Sequence, residues 1–314
     1  MKQLQVTKYF RYTILVPVAI LMVAIVCIAV RGVNLGVDFA GGTMLTMDLG
    51  SSASQMDDSA LSAKVEELVS AQTDADFRVS LSGESDVIIH IQDSAMDRTA
   101  QEESVAAIEN SIAAEFSEMV LVNAESVGAV VGAELVTNAV TALIFASILM
   151  LIYITVRFEF WSGVATIFGQ VHDLLVMLAI TMILNLKINS SLVAAVLTVM
   201  GYSINNTIIV LDRVREYRRT NTTHMTREEI VNLSVSKTLM RSVNTSLTTL
   251  FTVGALYVMG MTSIREFTLP IIVGICCGIY SSILLSGPFW AMVCNWAENL
   301  KLKREKAQRT AKKA

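Results

Sequence analysis

Proline, cysteine and charge are all scarce in this chain of 314 residues. Three prolines leave little room for long disordered linkers, which are typically rich in proline. The four cysteines fall in apolar runs without metal-ligand neighbours, which argues against disulfides and zinc sites. Only 17% of the residues are charged, whereas 53% are hydrophobic. A soluble globular domain rarely has this balance, and a protein that crosses a membrane several times does.

Recognisable catalytic motifs are missing as well. The sequence shows no nucleophile–base arrangement and no cluster of His, Cys, Asp or Glu with metal-ligand spacing. The glycine-rich stretch 36–43 (GVDFAGGT) has no lysine and no following helix, so it is not a phosphate-binding loop. We therefore expect neither an enzyme nor a resident cofactor or metal.

Six apolar stretches are each long enough for one membrane-spanning helix. They cover about 12–30, 137–156, 164–184, 191–211, 242–261 and 267–293. The first stretch follows Lys2, Lys8 and Arg11, as in a signal peptide, but its length and its weak cleavage site favour an uncleaved helix. The fifth is preceded by a segment that starts at Thr226 with a capping-box pattern, which predicts a separate surface helix.

Residues 32–130 have a different pattern, with scattered acidic residues and short apolar runs. Alternating and helical spacing predicts strands at 44–49, 77–81, 87–91 and 119–124, and helices at 57–72 and 99–116. The order β-α-β-β-α-β is typical of the ferredoxin-like fold.

Basic residues set the expected orientation. Lys and Arg concentrate at both termini and in the connections 157–161 and 213–241, so the positive-inside rule places these segments in the cytoplasm and 32–130 outside. We therefore predict a cytoplasmic N-terminus with the first span (1–31), an extracytoplasmic α+β domain (32–130), spans two to six (131–295) and a basic cytoplasmic tail (296–314). Beside six spans, the tail suits anionic lipid or a ribosome-side partner better than nucleic acid.

Polar side chains inside apolar helices are the first place to look for function, because hydrocarbon offers them no water. In the fourth stretch, helical spacing puts Ser203, Asn206 and Val210 on one face and Asn205 and Asp212 on a neighbouring face. Asp212 lies at the cytoplasmic end of that helix, where its charge is solvated at little cost.

Arg241 opens the fifth stretch. A row of polar residues follows it: Ser242, Asn244, Thr245, Ser246, Thr248 and Thr249. An arginine at a helix end can simply reach the lipid headgroups, but anchoring alone does not need such a row. Depth favours Asn206 over Asp212 as the residue that meets this row, although Asp212 could also pair with Arg241.

Two further patterns leave alternatives open. His172 and Asp173 lie early in the third stretch, where such a pair either exchanges protons or is a hydrogen-bonded pair near the interface. Gly274 and Gly278 match the small-xxx-small pattern of close helix contacts, which also occurs in ordinary packing.

Together these motifs resemble the SecF family, the smaller subunits of the bacterial SecD–SecF protein-export complex, which is related to the RND transporter superfamily. The matching segments are Gly36–Thr43 with Asp38, Gly41 and Gly42, Ser126–Leu135 with Gly128 and Gly132, His172–Asp173, Gly201–Asn205 with Asp212–Glu216, and Arg241–Ser246. They extend over nearly the whole chain.

The resemblance implies a mainly α-helical membrane protein. It would be a six-helix bundle like one RND half, with a ferredoxin-like extracytoplasmic domain between helices 1 and 2. The implied location is the cytoplasmic membrane, and the implied partners are SecD, the SecYEG channel with SecA, YajC, YidC and the preprotein. The implied function is to use the proton or sodium gradient in late steps of preprotein export.

One departure puts the implied ion relay in doubt. The family pairs an Asp of the fourth span with an Arg of the fifth; the Arg maps onto Arg241, but the acid maps onto Asn206. An amide does not exchange a proton near neutral pH. The titrating carboxylate then lies only in SecD, or Asp212 or Asp173 replaces it, or the chain is a passive scaffold. A small-molecule exporter is disfavoured, because RND pumps carry two six-span halves.

Overall fold

The computed structural model describes residues 4–51, 53, 56–82, 85–92, 98–220, 225–260 and 262–311. They form two compact units. The helical unit comprises Met1–Asn34, Ala142–Lys187 and Ser191–Ala314, and the sheet unit comprises Leu35–Thr141 and Ile188–Ser190.

Helices dominate the described residues. They are α1 (Val6–Thr13), α2 (Leu15–Arg31), α3 (Val37–Ala40), α4 (Asp58–Ser70), α5 (Arg98–Glu115), α6 (Ala129–Arg157), α7 (Phe160–Ile183), α8 (Ser190–Arg219), α9 (Arg227–Met259), α10 (Thr262–Ser281) and α11 (Gly287–Ala311). The strands are β1 (Gly42–Asp48), β2 (Asp76–Ser82), β3 (Asp86–Gln92) and β4 (Val120–Val127). A π-helical turn, Ser282–Ser286, joins α10 to α11.

The sheet unit is a four-stranded sheet in the order β2-β3-β1-β4, with every neighbouring pair antiparallel. Period-two alternation sends Leu45 and Met47 of β1 into the core, where both are fully buried. The apolar stripes of α4 and α5 cover that face with Val65 and Ile108, among others. The predicted order β1-α4-β2-β3-α5-β4 is thus confirmed; part of the predicted hairpin turn, 83–84, lies outside the described residues.

Five helical segments among the described residues are long and apolar enough to cross a membrane: Val6–Arg31, Val131–Arg157, Phe160–Ile183, Ser190–Arg219 and Ile264–Lys306. The predicted fifth stretch, 242–261, is not among them, because the polar row that starts at Ser242 lowers the hydropathy of α9. The surface helix expected from Thr226 is also not separate. The capping box at Thr226 and Glu229 is present, but α9 continues from it without a break to Met259.

The described residues near both ends of the chain are helical. α1 packs on α9, where Asn232 Oδ1 accepts the backbone N–H of Thr7 at 3.1 Å. α11 continues to Ala311, so the described part of the basic tail is helical. Lys312 and Lys313 lie outside the described residues.

Candidate functional site

Asp173 lies at the centre of a buried polar cluster in the helical unit. It sits on α7 and is 1% exposed. Its Oδ1 lies 2.9 Å from Nδ1 of His172, while its Oδ2 accepts hydrogen bonds from Ser203 Oγ on α8 and, at 2.8 Å, from Ser281 Oγ on α10. One carboxylate therefore joins three helices. We call these four residues the Asp173 cluster.

Two glycines of α10 bring α8 close enough for this arrangement. A Cβ added to Gly278 would lie 3.4 Å from both Cα and Cβ of Ser203, and one added to Gly274 would lie 2.6 Å from Cγ1 of Val199. Val199 and Ser203 are one helical turn apart on α8, as Gly274 and Gly278 are on α10. Of the two alternatives for the Gly274–Gly278 pattern, the structure shows the close helix contact, which positions Ser203 beside Asp173.

Asn206 meets the polar row of α9. It is fully buried, and its Nδ2 donates a hydrogen bond of 3.3 Å to Ser246 Oγ. The Asn206 Oδ1 and the Ser242 Oγ are also buried, and neither has a partner among the described residues. Ser203, Asn206 and Val210 share the buried face of α8, as their spacing predicts. The contact between α8 and α9 is thus made by neutral polar groups that are only partly satisfied.

Arg241 and Asp212 are placed differently from Asn206, since both are exposed. Within the described part of the chain the Arg241 side chain forms no hydrogen bond or salt bridge, so it is paired with neither Asn206 nor Asp212. The reason is helical phase: Ser242 and Ser246, four residues apart, share the buried face of α9, whereas Arg241 lies with Asn244 on the exposed face.

The predicted motif around Asp38 joins three segments of the sheet unit. Asp38 Oδ2 accepts the backbone N–H of Ser190 at 2.9 Å, where α8 begins. A Cβ added to Gly132 of α6 would lie 3.2 Å from the Asp38 carbonyl oxygen, so the start of α6 passes very close to the same turn. These contacts give Asp38 and Gly132 positioning roles.

The other motif glycines divide into two kinds. Gly41 and Gly42 have φ values of 74° and 112°, a region that side-chain-bearing residues rarely adopt. Both therefore set the turn from α3 into β1. Gly128 and Gly201 have no atom within 4 Å of an added Cβ, so packing in the described residues does not explain glycine at either position.

Sequence reasoning missed the contribution of α10 and the turn after it. Ser281 is fully buried and bonds Asp173. Ser286 in the π-helical turn packs against Gly169, and its Oγ is buried without a partner among the described residues. π-helical turns inside α-helices are frequent at functional sites. The sequence contains a signal that could have identified them, because Ser281 and Ser286 are polar residues in an otherwise apolar stretch.

Two family matches cover much of the chain. Residues 107–296 match the family described as "Protein export membrane protein SecD/SecF, C-terminal", and residues 28–53 match "SecD/SecF GG Motif". The second match includes Asp38, Gly41 and Gly42, and the first includes every residue of the Asp173 cluster.

Individual relatives agree with these matches. "Protein translocase subunit SecF" of Acidaminococcus fermentans is 36% identical over 92% of this chain and 97% of its own length. "Protein translocase subunit SecDF" of Bacillus subtilis is 32% identical over 96% of this chain, but the chain spans only 39% of that protein. The crystal structure of SecDF from Thermus thermophilus superposes with a TM-score of 0.78 at 29% identity, over 94% of this chain and 39% of that one. The chain therefore belongs to the SecD/SecF family of protein-export membrane proteins.

Proposed function

We propose that this chain is the SecF-type subunit of a Sec protein translocase and works in one complex with SecD. In this proposal it uses the proton or sodium gradient to promote late steps of preprotein export across the cytoplasmic membrane. The observation that carries the proposal is a set of three exposed polar residues, Asn205 on α8 and Arg241 and Asn244 on α9, which we call the polar stripe.

The exposure of the polar stripe indicates that another protein binds there. Asn205, Arg241 and Asn244 are exposed, and none of their side chains has a partner among the described residues. Polar groups facing hydrocarbon are costly, about several kcal/mol for each unsatisfied group, so such a surface is stable in a membrane only when another protein covers it. SecD is the natural candidate, because the SecDF relatives are single proteins of which this chain matches about two fifths.

Coupling to a gradient requires a group that captures charge, since one elementary charge crossing the membrane provides about 2.3 kcal/mol per 100 mV. The relay candidates remain Arg241, Asn206, Asp212, His172 and Asp173. Asn206 is buried but cannot titrate, whereas Asp212 is exposed. Asp173 is the carboxylate that combines burial with polar partners. We propose that SecD supplies the charge partner of Arg241.

The proposed architecture follows the same family. It has six spans, with 242–259 of α9 as the fifth, and both termini in the cytoplasm. The outer domain is the sheet unit, whose antiparallel order β2-β3-β1-β4 is that expected of a ferredoxin-like fold. Further proposed contacts are with SecYEG and SecA, YajC, YidC and the preprotein. The exposed tail residues Lys301, Lys303 and Arg304 suit anionic lipid.

The experiment is preprotein translocation into inverted membrane vesicles that contain this chain and its own SecD, with ATP present. We expect a protonophore or sodium ionophore to slow late translocation with the wild-type chain. Arg241→Ala removes that gradient-dependent part, whereas Arg219→Ala, at the exposed end of α8, leaves it unchanged. Failure to co-purify with SecD would refute the proposal outright.

Two other outcomes are informative. If the chain co-purifies with SecD but Arg241→Ala keeps full gradient dependence, the chain is a scaffold without an ion step of its own. Asn206→Asp is the converse test. A gain in gradient-dependent translocation would show that this position is a relay that lacks its acid.

A further inference from the structure

The Asp173 cluster contains a buried carboxylate without a permanent positive partner. Among the described residues no Lys or Arg forms a salt bridge with Asp173, and its one ion-pair contact is to the imidazole of His172. The side chains of Asp173 and His172 are 2% and 9% exposed. A buried charge is expensive unless it is paired or hydrogen bonded, so this group needs either its three hydrogen bonds or a proton.

The hydrogen bonds of the cluster show which nitrogen of His172 is free to bind a proton. An ionised carboxylate only accepts, so Ser203 and Ser281 donate their hydroxyl protons to Oδ2. With the carboxylate ionised, the 2.9 Å contact between Oδ1 and His172 Nδ1 is a hydrogen bond in which Nδ1–H donates. In a neutral imidazole the other nitrogen, Nε2, then bears a free lone pair. That atom is buried and has no partner within the described residues.

We propose that the Asp173 cluster binds one proton at His172 Nε2. The proton comes from a hydronium ion, whose O–H bond breaks to leave a water molecule, and binding converts a single negative charge into a neutral imidazolium–carboxylate pair. No bond other than the N–H forms. If the proposed function holds, this proton binding lets the chain respond to a proton gradient, and that role rests on the proposed function. Proton binding itself is a property of this chain alone and does not need SecD.

Few other titratable groups lie on the elements that surround the Asp173 cluster, among the described residues. Within the part of the chain that the structure describes, the titratable groups beside it are Cys277 and Tyr280, both on α10. α2 has no Asp, Glu, Lys, Arg or His from Leu15 to Val30, and the π-helical turn has none either. On α11, the electrostatic neighbours of Cys294 are Arg227, Glu159, Arg218 and Glu298, not Asp173. On α8, Asp212 is more than two turns beyond Ser203 and exposed.

Protonation at this site is connected to other helices. The ring of His172 stacks on Tyr280 with the centroids 5.9 Å apart, and Tyr280 donates its hydroxyl to the Thr13 carbonyl at 2.6 Å, where α1 meets α2. A positive charge on the imidazole adds a cation–π attraction to that stack. The carboxylate holds α8 and α10 through Ser203 and Ser281, so one proton changes forces on four helices.

The test is 15N-imidazole NMR of the full chain in lipid nanodiscs, with His90 and His224 replaced by glutamine so that His172 is observed alone. We expect neutral His172 to show the Nδ1–H tautomer at high pH and the imidazolium at low pH. Asp173→Asn removes the stabilising charge and lowers the midpoint by at least one pH unit, a tenfold loss of proton affinity. Asp173→Glu keeps the negative charge, so its midpoint stays close to that of the wild type. This variant separates the loss of charge from misfolding.

Three results would overturn the proposal. The first is a His172 that stays neutral down to pH 5, and the second is an Asp173→Asn midpoint equal to that of the wild type. The third is a His172 spectrum that responds to sodium at constant ionic strength and not to pH, which would make the cluster a sodium site. None of these outcomes changes co-purification with SecD or the effect of Arg241→Ala, so the proposed function is tested separately.

Discussion

Gly274→Ala tests whether the contact between α8 and α10 is as close as the structure shows. The added Cβ would lie 3.0 Å from Cβ of Val199 and only 2.6 Å from its Cγ1, and the second distance is closer than real Cβ contacts allow. Val199 is β-branched and 3% exposed, so its side chain has little freedom to turn away. Overpacking of this kind costs about 1–3 kcal/mol.

The helix itself partly offsets this cost. Replacing a helical glycine by alanine stabilises a helix by about 0.5–1 kcal/mol. The net destabilisation is therefore roughly 0.5–2 kcal/mol, equivalent to about a 2- to 30-fold rise in the population of the open state. Gly201→Ala is the matched control, because its added Cβ meets no atom within 4 Å and only the stabilising effect remains.

The assay uses the buried thiol of Cys277, which is 7% exposed. With Cys27, Cys276 and Cys294 replaced by alanine, the labelling rate of Cys277 by a thiol reagent measures local opening of α10. We expect Gly274→Ala to raise that labelling rate about 2- to 30-fold, and we expect Gly201→Ala to leave it unchanged or lower it. Val199→Ala added to Gly274→Ala removes the clashing methyl groups and restores a slower rate. Equal rates for the two glycine variants, or no rescue, would refute the close contact.

The remaining predictions concern the sheet unit, the start of α9 and the packing of α1. Burial raises the pKa of Asp86, and the charge of Asp48, which faces it across β1 and β3, raises it further. Ionisation of Asp86 therefore weakens the pairing of β1 with β3 as the pH rises above about 4. We expect Asp86→Asn to slow amide exchange in these two strands at pH 7 but not at pH 3. Thr226→Ala removes the N-cap of α9, with a loss of about 1 kcal/mol that is measured as about fivefold faster exchange in its first turn. Asn232→Ala removes the hydrogen bonds to Thr7, and a spin label on α1 becomes more mobile.

Each of these predictions has a clear contrary result. A stabilising effect of Asp86→Asn that persists at pH 3 would show that charge is not the cause. Unchanged exchange in the first turn after Thr226→Ala would mean that tertiary packing alone holds the start of α9. An unchanged spin-label spectrum after Asn232→Ala would show that apolar contacts of Phe10, which is 9% exposed, are sufficient to hold α1.

The sequence predicted the sheet unit well, because its signals are local. Period-two alternation in β1 and the apolar stripes of α4 and α5 each need only a few neighbouring residues. The same holds for the cap at Thr226, which the structure confirms. The continuation of α9 through 237–242 could not be predicted in this way. No helix-breaking residue lies there, but the change from charged to apolar composition looked like a boundary.

The sequence predicted several of the residues that form the candidate site, but it did not predict which residues they contact. Polar residues in apolar stretches identified Asn206, His172 and Asp173. Helical phase correctly put Asn206 on one face with Ser203 and Val210, and the structure shows that this face is buried. Which helix faces which is a long-range property that hydropathy does not contain. The bond from Ser281 to Asp173 and the exposure of Arg241 therefore emerged only from the three-dimensional arrangement.

The most direct test of the central claim, that SecD covers the polar stripe, is site-specific photo-crosslinking in the native membrane. A photoreactive amino acid replaces Asn244 in the stripe or, as the control, Phe145 on the apolar α6, which is 63% exposed. We predict a SecD adduct from position 244 and none from position 145. Lipid adducts alone from position 244, or equal SecD adducts from both positions, would contradict the account.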